Sequence, residues 1–116
     1  NGLTITGTAV ATTNTDTTNT GNVTLDFGAN QNFVLTLTGN VTLVNPTTEQ
    51  VGQSGFIVFI QDGTGGRTVS LGTQYKTSGG VNTLSLSSTA SAIDVVPYIV
   101  SAADSILLGT PQLNFS

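Results

Sequence analysis

The sequence contains no cysteine, histidine, methionine or tryptophan. Without cysteine, no disulfide framework can stabilise the fold. Without cysteine and histidine, the chain has no zinc site of the usual kind and no Ser-His or Cys-His catalytic dyad. We therefore predict that the protein carries no metal and no cofactor.

Charged residues are also scarce. Charged residues make up 7% of the 116 positions, against about 25% in an ordinary soluble domain. Arg67 and Lys76 are the only cations, and the formal net charge is −4. Two cations cannot neutralise a run of phosphates, and an anionic membrane would repel the chain. We expect neither nucleic acid nor membrane as a partner.

Small polar residues take the place of the missing charges. Thr, Ser and Asn supply roughly a third of the sequence, and they favour strands and turns over helices. Apolar residues alternate with polar ones, and no stretch has a sustained helical period. The pattern predicts an all-β fold, a jelly-roll-like β-sandwich. The predicted strands are Leu3–Thr6, Val23–Phe27, Phe33–Thr38, Val41–Val44, Gly55–Gln61, Thr68–Leu71, Thr83–Ser87, Ala92–Ser101, Ser105–Gly109 and Leu113–Phe115.

Two predicted strands are apolar on both faces. They contain the runs Phe56–Ile60 and Val95–Val100, and Pro97 interrupts the second run. Such strands must be covered on both sides, and a domain of this size has little mass with which to cover them. A subunit partner in a homotrimer is the interpretation we favour. The alternative is a central strand beneath a loop.

The N-terminal 22 residues differ from the rest in composition. Gly7–Asn22 is a low-complexity run of Thr and Asn with few large apolar groups, and such a run is not expected to order itself. We therefore divide the chain into an extended arm, residues 1–22, and a β-sandwich domain, residues 23–116. A neighbouring subunit or a larger assembly would order the arm. A rigid local hairpin is the alternative.

One glycine-rich loop and the Tyr-Lys pair that follows it are the candidate ligand-binding residues. They are Asp62, Gly63, Thr64, Gly65, Gly66, Arg67, Tyr75 and Lys76. The glycines could expose backbone N–H groups to an anion or admit a sugar, on which Tyr75 would stack. The ordinary alternative is a glycine-rich hairpin turn between two strands.

The carboxylates are scattered along the chain and suggest no catalytic pair. A glycosidase needs two of them flanking a sugar, and the chain has only two tyrosines and no tryptophan to form a sugar platform. We predict no catalytic residues and no enzyme. Asp94 interrupts an apolar strand, so we expect it to be hydrogen-bonded within the core or at a subunit contact. The alternative is a role as a Ca²⁺ ligand, although the DxDxDG spacing of a calcium-binding loop is missing.

From about Val23 onward the chain resembles a β-module of bacteriophage tail-fibre and other virion structural proteins. The matching phrases are VTLDF at Val23–Phe27, NFVLTLTGNVTL at Asn32–Leu43, GQSGFIVFIQDGTGGRTVS at Gly52–Ser70, and the strand at Asp94–Val95. The resemblance implies a virion-associated, trimeric β-module and carries over no catalytic residues.

Composition and resemblance together predict a non-enzymatic structural protein on the outside of a phage particle. It would be part of a tail or head fibre, a spike or a capsid decoration, trimeric through its sandwich. Its arm, residues 1–22, would anchor it to other virion proteins. The alternative is a receptor-binding module that recognises host-surface glycans during attachment.

Overall fold

The computed structural model describes residues 2–116. This part of the chain forms strands and loops only, and it contains no helix that could span a membrane. The strands are β1 (Thr13–Val23), β2 (Asn32–Leu43), β3 (Ser54–Gln61), β4 (Val69–Leu71), β5 (Tyr75–Lys76), β6 (Thr83–Leu84), β7 (Ile93–Ala102), β8 (Ser105–Leu108) and β9 (Gln112–Phe115).

The long strand β2 organises one half of the fold. β1 pairs with it in parallel, from Thr13 beside Asn32 to Val23 beside Leu43. Because β1 follows the whole length of one edge, two strands share the other edge. β3 pairs in parallel with the first half of β2 and β4 with the second half. The strands of this half therefore lie side by side in the order β1, β2, then β3 and β4 end to end.

β1 is irregular where it passes the middle of β2. Its register shifts between Asp16 and Asn19, and the buried Asn19 amide donates to the carbonyl oxygens of Asp16 and Thr36, each at 3.0 Å. A side chain at Gly39 of β2 would collide with the Thr20 hydroxyl. A glycine at that position therefore lets the two backbones approach after the bulge.

The remaining strands complete one curled sheet. β7 pairs antiparallel with β3, β8 and β9 pair with β7, and β6 pairs with β4. The strand order is β5-β8-β7-β3-β2-β4-β6. β4 and β5 are adjacent in the chain yet lie near opposite ends of this order, and β5 pairs with β8. The sheet must therefore curl into a half-barrel.

The core lies on the concave side of the sheet. Leu25 and Phe27, in the connection between β1 and β2, are buried there. The Phe27 N–H donates to the Thr48 hydroxyl in the connection between β2 and β3 (2.9 Å). The Phe27 ring packs edge-on against Phe33 and Tyr98, with centroids 5.1 and 5.3 Å apart. Chain connections therefore fill the space that a second sheet would occupy in a sandwich.

The all-β class is confirmed, and the jelly-roll-like β-sandwich is not. All the strands of residues 2–116 belong to one sheet. The physical reason is the parallel pairing of β1, β2 and β3, because parallel neighbours need crossover connections rather than tight turns. Those crossovers carry Leu25 and Phe27 into the core.

Some of the predicted strands agree with the structure and others do not. Gly55–Gln61, Ala92–Ser101 and Ser105–Gly109 agree with β3, β7 and β8 to within one residue at each end. Leu3–Thr6 forms no strand, and most of Val23–Phe27 belongs to the connection after β1. The short β5 was not predicted.

The predicted arm, residues 1–22, is not confirmed as a separate extended segment. Asn1 lies outside the described residues, residues 2–12 carry no strand, and Thr13–Val23 is β1 of the sheet. The strand continues across the predicted boundary at residue 22. β2 of the same chain orders β1 by parallel pairing, so the alternative of a local hairpin is wrong.

Asp94 joins three segments within the core, as its place in an apolar strand suggested. It is 2% exposed. Its Oδ2 accepts a hydrogen bond from the Ser87 N–H (2.6 Å), and its Oδ1 accepts one from the Asn114 N–H in β9 (2.8 Å). One carboxylate therefore holds the segment after β6 and the C-terminal strand to β7.

Replacing Asp94 with asparagine should destabilise the protein. Asparagine offers one acceptor oxygen and one NH₂ donor, so one of the two backbone N–H groups would face a donor. We expect a loss of about 1–3 kcal/mol in the free energy of unfolding, measured by chemical denaturation. Asp104→Asn is the control, because Asp104 is exposed and its carboxylate accepts no hydrogen bond from residues 2–116. Equal stabilities of the two variants would contradict the role of Asp94.

Candidate functional site

The convex side of the sheet carries a continuous set of apolar side chains, which we call the outer face. In β3, Ile57 and Phe59 point into the core, whereas Phe56 and Val58 point outward and are partly exposed. The same alternation runs through β2, β7 and β8. The members of the outer face are Val34, Phe56, Val58, Ile60, Ile93, Val95, Pro97, Ile99, Leu107 and Phe115.

Strand register places these residues side by side. Phe56 lies beside Pro97, Val58 beside Val95, Ile60 beside Ile93, and Ile99 beside Leu107. The exposed fractions of Phe56 and Ile99 are 52% and 47%. None of the members is charged, and Lys76 lies at the margin, beside Leu107. A partly exposed apolar surface of this kind is typical of an interaction site.

The loop Asp62–Arg67 is closed by its own hydrogen bonds. Asp62 Oδ1 accepts from the N–H groups of Thr64 (3.1 Å) and Gly65 (3.0 Å). The Arg67 guanidinium donates to both oxygens of the Asp62 carboxylate, at 3.0 and 3.3 Å. The bond from Arg67, followed by those from the backbone, lowers the pKa of Asp62 below its usual value. These two N–H groups are therefore not free to bind an anion.

Buried contacts also fix the loop to the rest of the fold. The Gln61 side chain donates to the carbonyl oxygens of Arg67 (2.8 Å) and Ser87 (3.0 Å) and accepts from the Arg67 N–H (3.0 Å). Gly65 has a φ of +75°, and a Cβ there would lie 2.6 Å from the Ser88 carbonyl oxygen. The hairpin-turn interpretation is wrong, because β3 and β4 both pair with β2 rather than with each other.

Tyr75 and Lys76 do not join this loop in one site. They form β5, and the whole of β4 lies between them and the loop. Tyr75 is 4% exposed and its ring packs against Phe27, with centroids 6.4 Å apart. The ring is therefore not available to stack on a sugar. Lys76 is exposed. Glycan binding by Lys76 and the exposed loop residues stays a prediction, which a glycan array would test.

The two tyrosines differ in how their hydroxyl groups are satisfied. The Tyr98 OH donates to the Gln31 carbonyl oxygen (2.6 Å) and accepts from the Gln53 amide (3.2 Å). The Tyr75 OH is buried and has no hydrogen-bond partner among residues 2–116. Burial raises the pKa of both phenols, and the Glu49 carboxylate raises that of Tyr75 further.

A groove of about 430 Å³ opens beside the outer face, at the point where the chain enters β1. Its lining includes Ala11 on one side and Phe56 and Pro97 on the other. The N-terminal segment therefore emerges directly next to the exposed apolar surface.

Some of these features carried a sequence signal and others did not. Gln61 is in phase with the inward-facing Ile57 and Phe59, so the strand alternation could have identified it as a buried polar residue. β1 had no such signal, because nearly all its side chains are exposed. The outer face was foreseen as the second apolar side of β3 and β7, and what covers it stays a prediction.

The tyrosines provide a matched pair of hydroxyl deletions. Tyr75→Phe removes a buried group without a partner, so we expect an unchanged or higher free energy of unfolding, by up to about 1–3 kcal/mol. Tyr98→Phe breaks two hydrogen bonds and should cost about 1 kcal/mol. Chemical denaturation of both variants measures the difference. Greater destabilisation by Tyr75→Phe than by Tyr98→Phe would contradict the assignment.

Comparison with known proteins identifies the type of module. A family model described as "Putative phage tail fibre C-terminal domain" matches residues 15–102, which run from within β1 to the end of β7. Neither curated proteins nor solved structures show a significant match. The match covers well over half of the chain, and it confirms the resemblance to phage fibre modules. The protein is thus a virion-associated phage structural protein, and the chain belongs to this family of phage tail-fibre domains.

Proposed function

We propose that the chain is a non-enzymatic structural module of a phage fibre that assembles as a homotrimer through its outer face. The observation that carries this proposal is the set of apolar side chains, some exposed and the others half-buried, that extends across β2, β3, β7 and β8. Water contact with these side chains is unfavourable, and burying them against identical copies removes it. A closed ring of copies covers the same face on each one.

Burial of these apolar side chains would contribute several kcal/mol to the free energy of association. Burying a large apolar side chain completely contributes roughly 1.5–3 kcal/mol. Phe56, Ile99, Leu107 and Phe115 are each about half exposed, so each would contribute roughly 1 kcal/mol. Uncharged neighbours keep the dehydration cost of the surface low.

Structural roles of the carboxylates support the absence of enzymatic activity. Asp62 closes its own loop with Arg67, and Asp94 holds two backbone N–H groups. Asp26 caps a turn by accepting from the N–H groups of Gly28 and Ala29. No cluster of three metal-ligating side chains occurs within residues 2–116. These acidic groups are engaged in folding contacts.

We propose that other virion proteins attach at the free edge of β1. In residues 2–116, β1 pairs with β2 alone, so its opposite edge presents backbone N–H and C=O groups to solvent. An extended segment of another protein can add a strand to such an edge. Asp16 is the one charged residue in β1, so little charge opposes strand addition.

Light scattering at micromolar concentration tests the self-association. We expect a trimer for the unaltered chain and a monomer for Ile99→Lys, because the substitution places a charge from every copy at the contact. Val81→Lys is the matched control, since Val81 is also exposed and apolar but lies in the loop between β5 and β6. It should remain trimeric. A monomeric unaltered chain, or a trimeric Ile99→Lys variant with intact circular dichroism, would refute the proposal.

Mass spectrometry of purified particles tests the β1 edge. Thr15→Lys places a charged side chain on an exposed position of β1, and charge on an edge strand opposes strand addition. We expect fewer copies of this variant per particle than of Thr47→Lys, which changes an exposed loop residue in the same way. Equal incorporation of both variants would show that β1 is not the attachment site.

A further inference from the structure

The N-terminal segment, residues 2–10, carries large apolar side chains that touch little of their own chain. Leu3, Ile5 and Val10 are 85%, 56% and 89% exposed. Residues 3–10 form no strand and take part in no hydrogen bond with another described residue. Exposed apolar side chains on an extended segment are a poor arrangement in water. Covering these side chains would remove their unfavourable contact with water.

The root of the segment, residues 11 and 12, is fixed beside the outer face. The Thr12 carbonyl oxygen accepts hydrogen bonds from the N–H groups of Gln31 (2.9 Å) and Asn32 (3.1 Å). Ala11 lines the groove that Phe56 and Pro97 share. The segment consequently starts at the margin of the apolar surface.

A second copy of the chain is the occupant that these features favour. When outer faces of two copies pack together, the root of each segment lies at the contact and its free residues extend over the other copy. Residues 2–12 are uncharged, as are all members of the outer face. Packing the segment against the outer face therefore buries no unpaired charge. Nine extended residues reach about 30 Å, comparable with the 32 Å middle dimension of the molecule.

We propose that residues 2–10 of one copy lie across the outer face of a second copy, with Leu3, Ile5 and Val10 packed near Phe56, Ile99 and Leu107. This inference rests on the proposed self-association and specifies how it is built. It also divides the N-terminal region between two partners. Residues 2–10 bind a neighbouring copy, and β1 keeps its free edge for other virion proteins.

Photo-crosslinking tests the exchange directly. A benzoyl-phenylalanine replaces Val10, and unlabelled and nitrogen-15-labelled chains are refolded together before irradiation. We expect crosslinked peptides that join the two isotopes and connect position 10 to β3, β7 or β8. The same probe at Thr47, an exposed residue in the connection between β2 and β3, should give none of these products. Crosslinks confined to one isotope would mean that the segment folds onto its own chain, and would overturn the proposal.

Deletion of residues 1–10 separates this inference from the proposed function. The deletion removes no strand, so the circular dichroism of the sheet should be unchanged. We expect trimers to dissociate at a concentration at least about tenfold higher. Unaltered trimer stability after the deletion would overturn the exchange while leaving the trimer intact. A monomeric unaltered chain would instead refute the proposed function itself.

Discussion

β2 pairs in parallel with β1, β3 and β4. The rest of the structure depends on this parallel pairing. Parallel neighbours need connections that cross from one end of the sheet to the other. Here those connections carry Leu25 and Phe27 across the concave side and bury them against the strands. With its concave side closed by its own loops, the sheet needs no second sheet. Its convex side is left as a partly exposed apolar surface.

Local sequence pattern predicted some strands well because their side chains report burial. β3, β7 and β8 contain large apolar residues, and their neighbours in the chain are turn residues such as Gly and Asp. β1 consists largely of Thr and Asn with exposed side chains, so its strand conformation depends on backbone pairing with β2. That pairing joins residues far apart in the chain. The alternation of apolar and polar residues along one strand contains no information about which strand it pairs with.

The candidate site shows the same limit at the level of single residues. Tyr75 follows Gln74 and precedes Lys76 and Thr77, a polar setting that suggests a surface loop. Pairing of β5 with β8 turns its ring into the core. The glycines of Asp62–Arg67 were correctly identified as a loop, but its rigidity comes from Gln61 and from contacts with Ser88. Those contacts cannot be seen in the glycine pattern.

The hydrogen bonds of Asp94 have a consequence for sequence divergence. Ser87 and Asn114 contribute backbone N–H groups, which every residue except proline retains. Asn114 has a φ of +58°, a conformation that glycine, asparagine and aspartate adopt readily. Asp94 lies within the region matched by the family model, and Asn114 lies beyond its end. The C-terminal strand can therefore change in sequence at most of its positions without losing the hydrogen bond that joins its backbone to the Asp94 carboxylate.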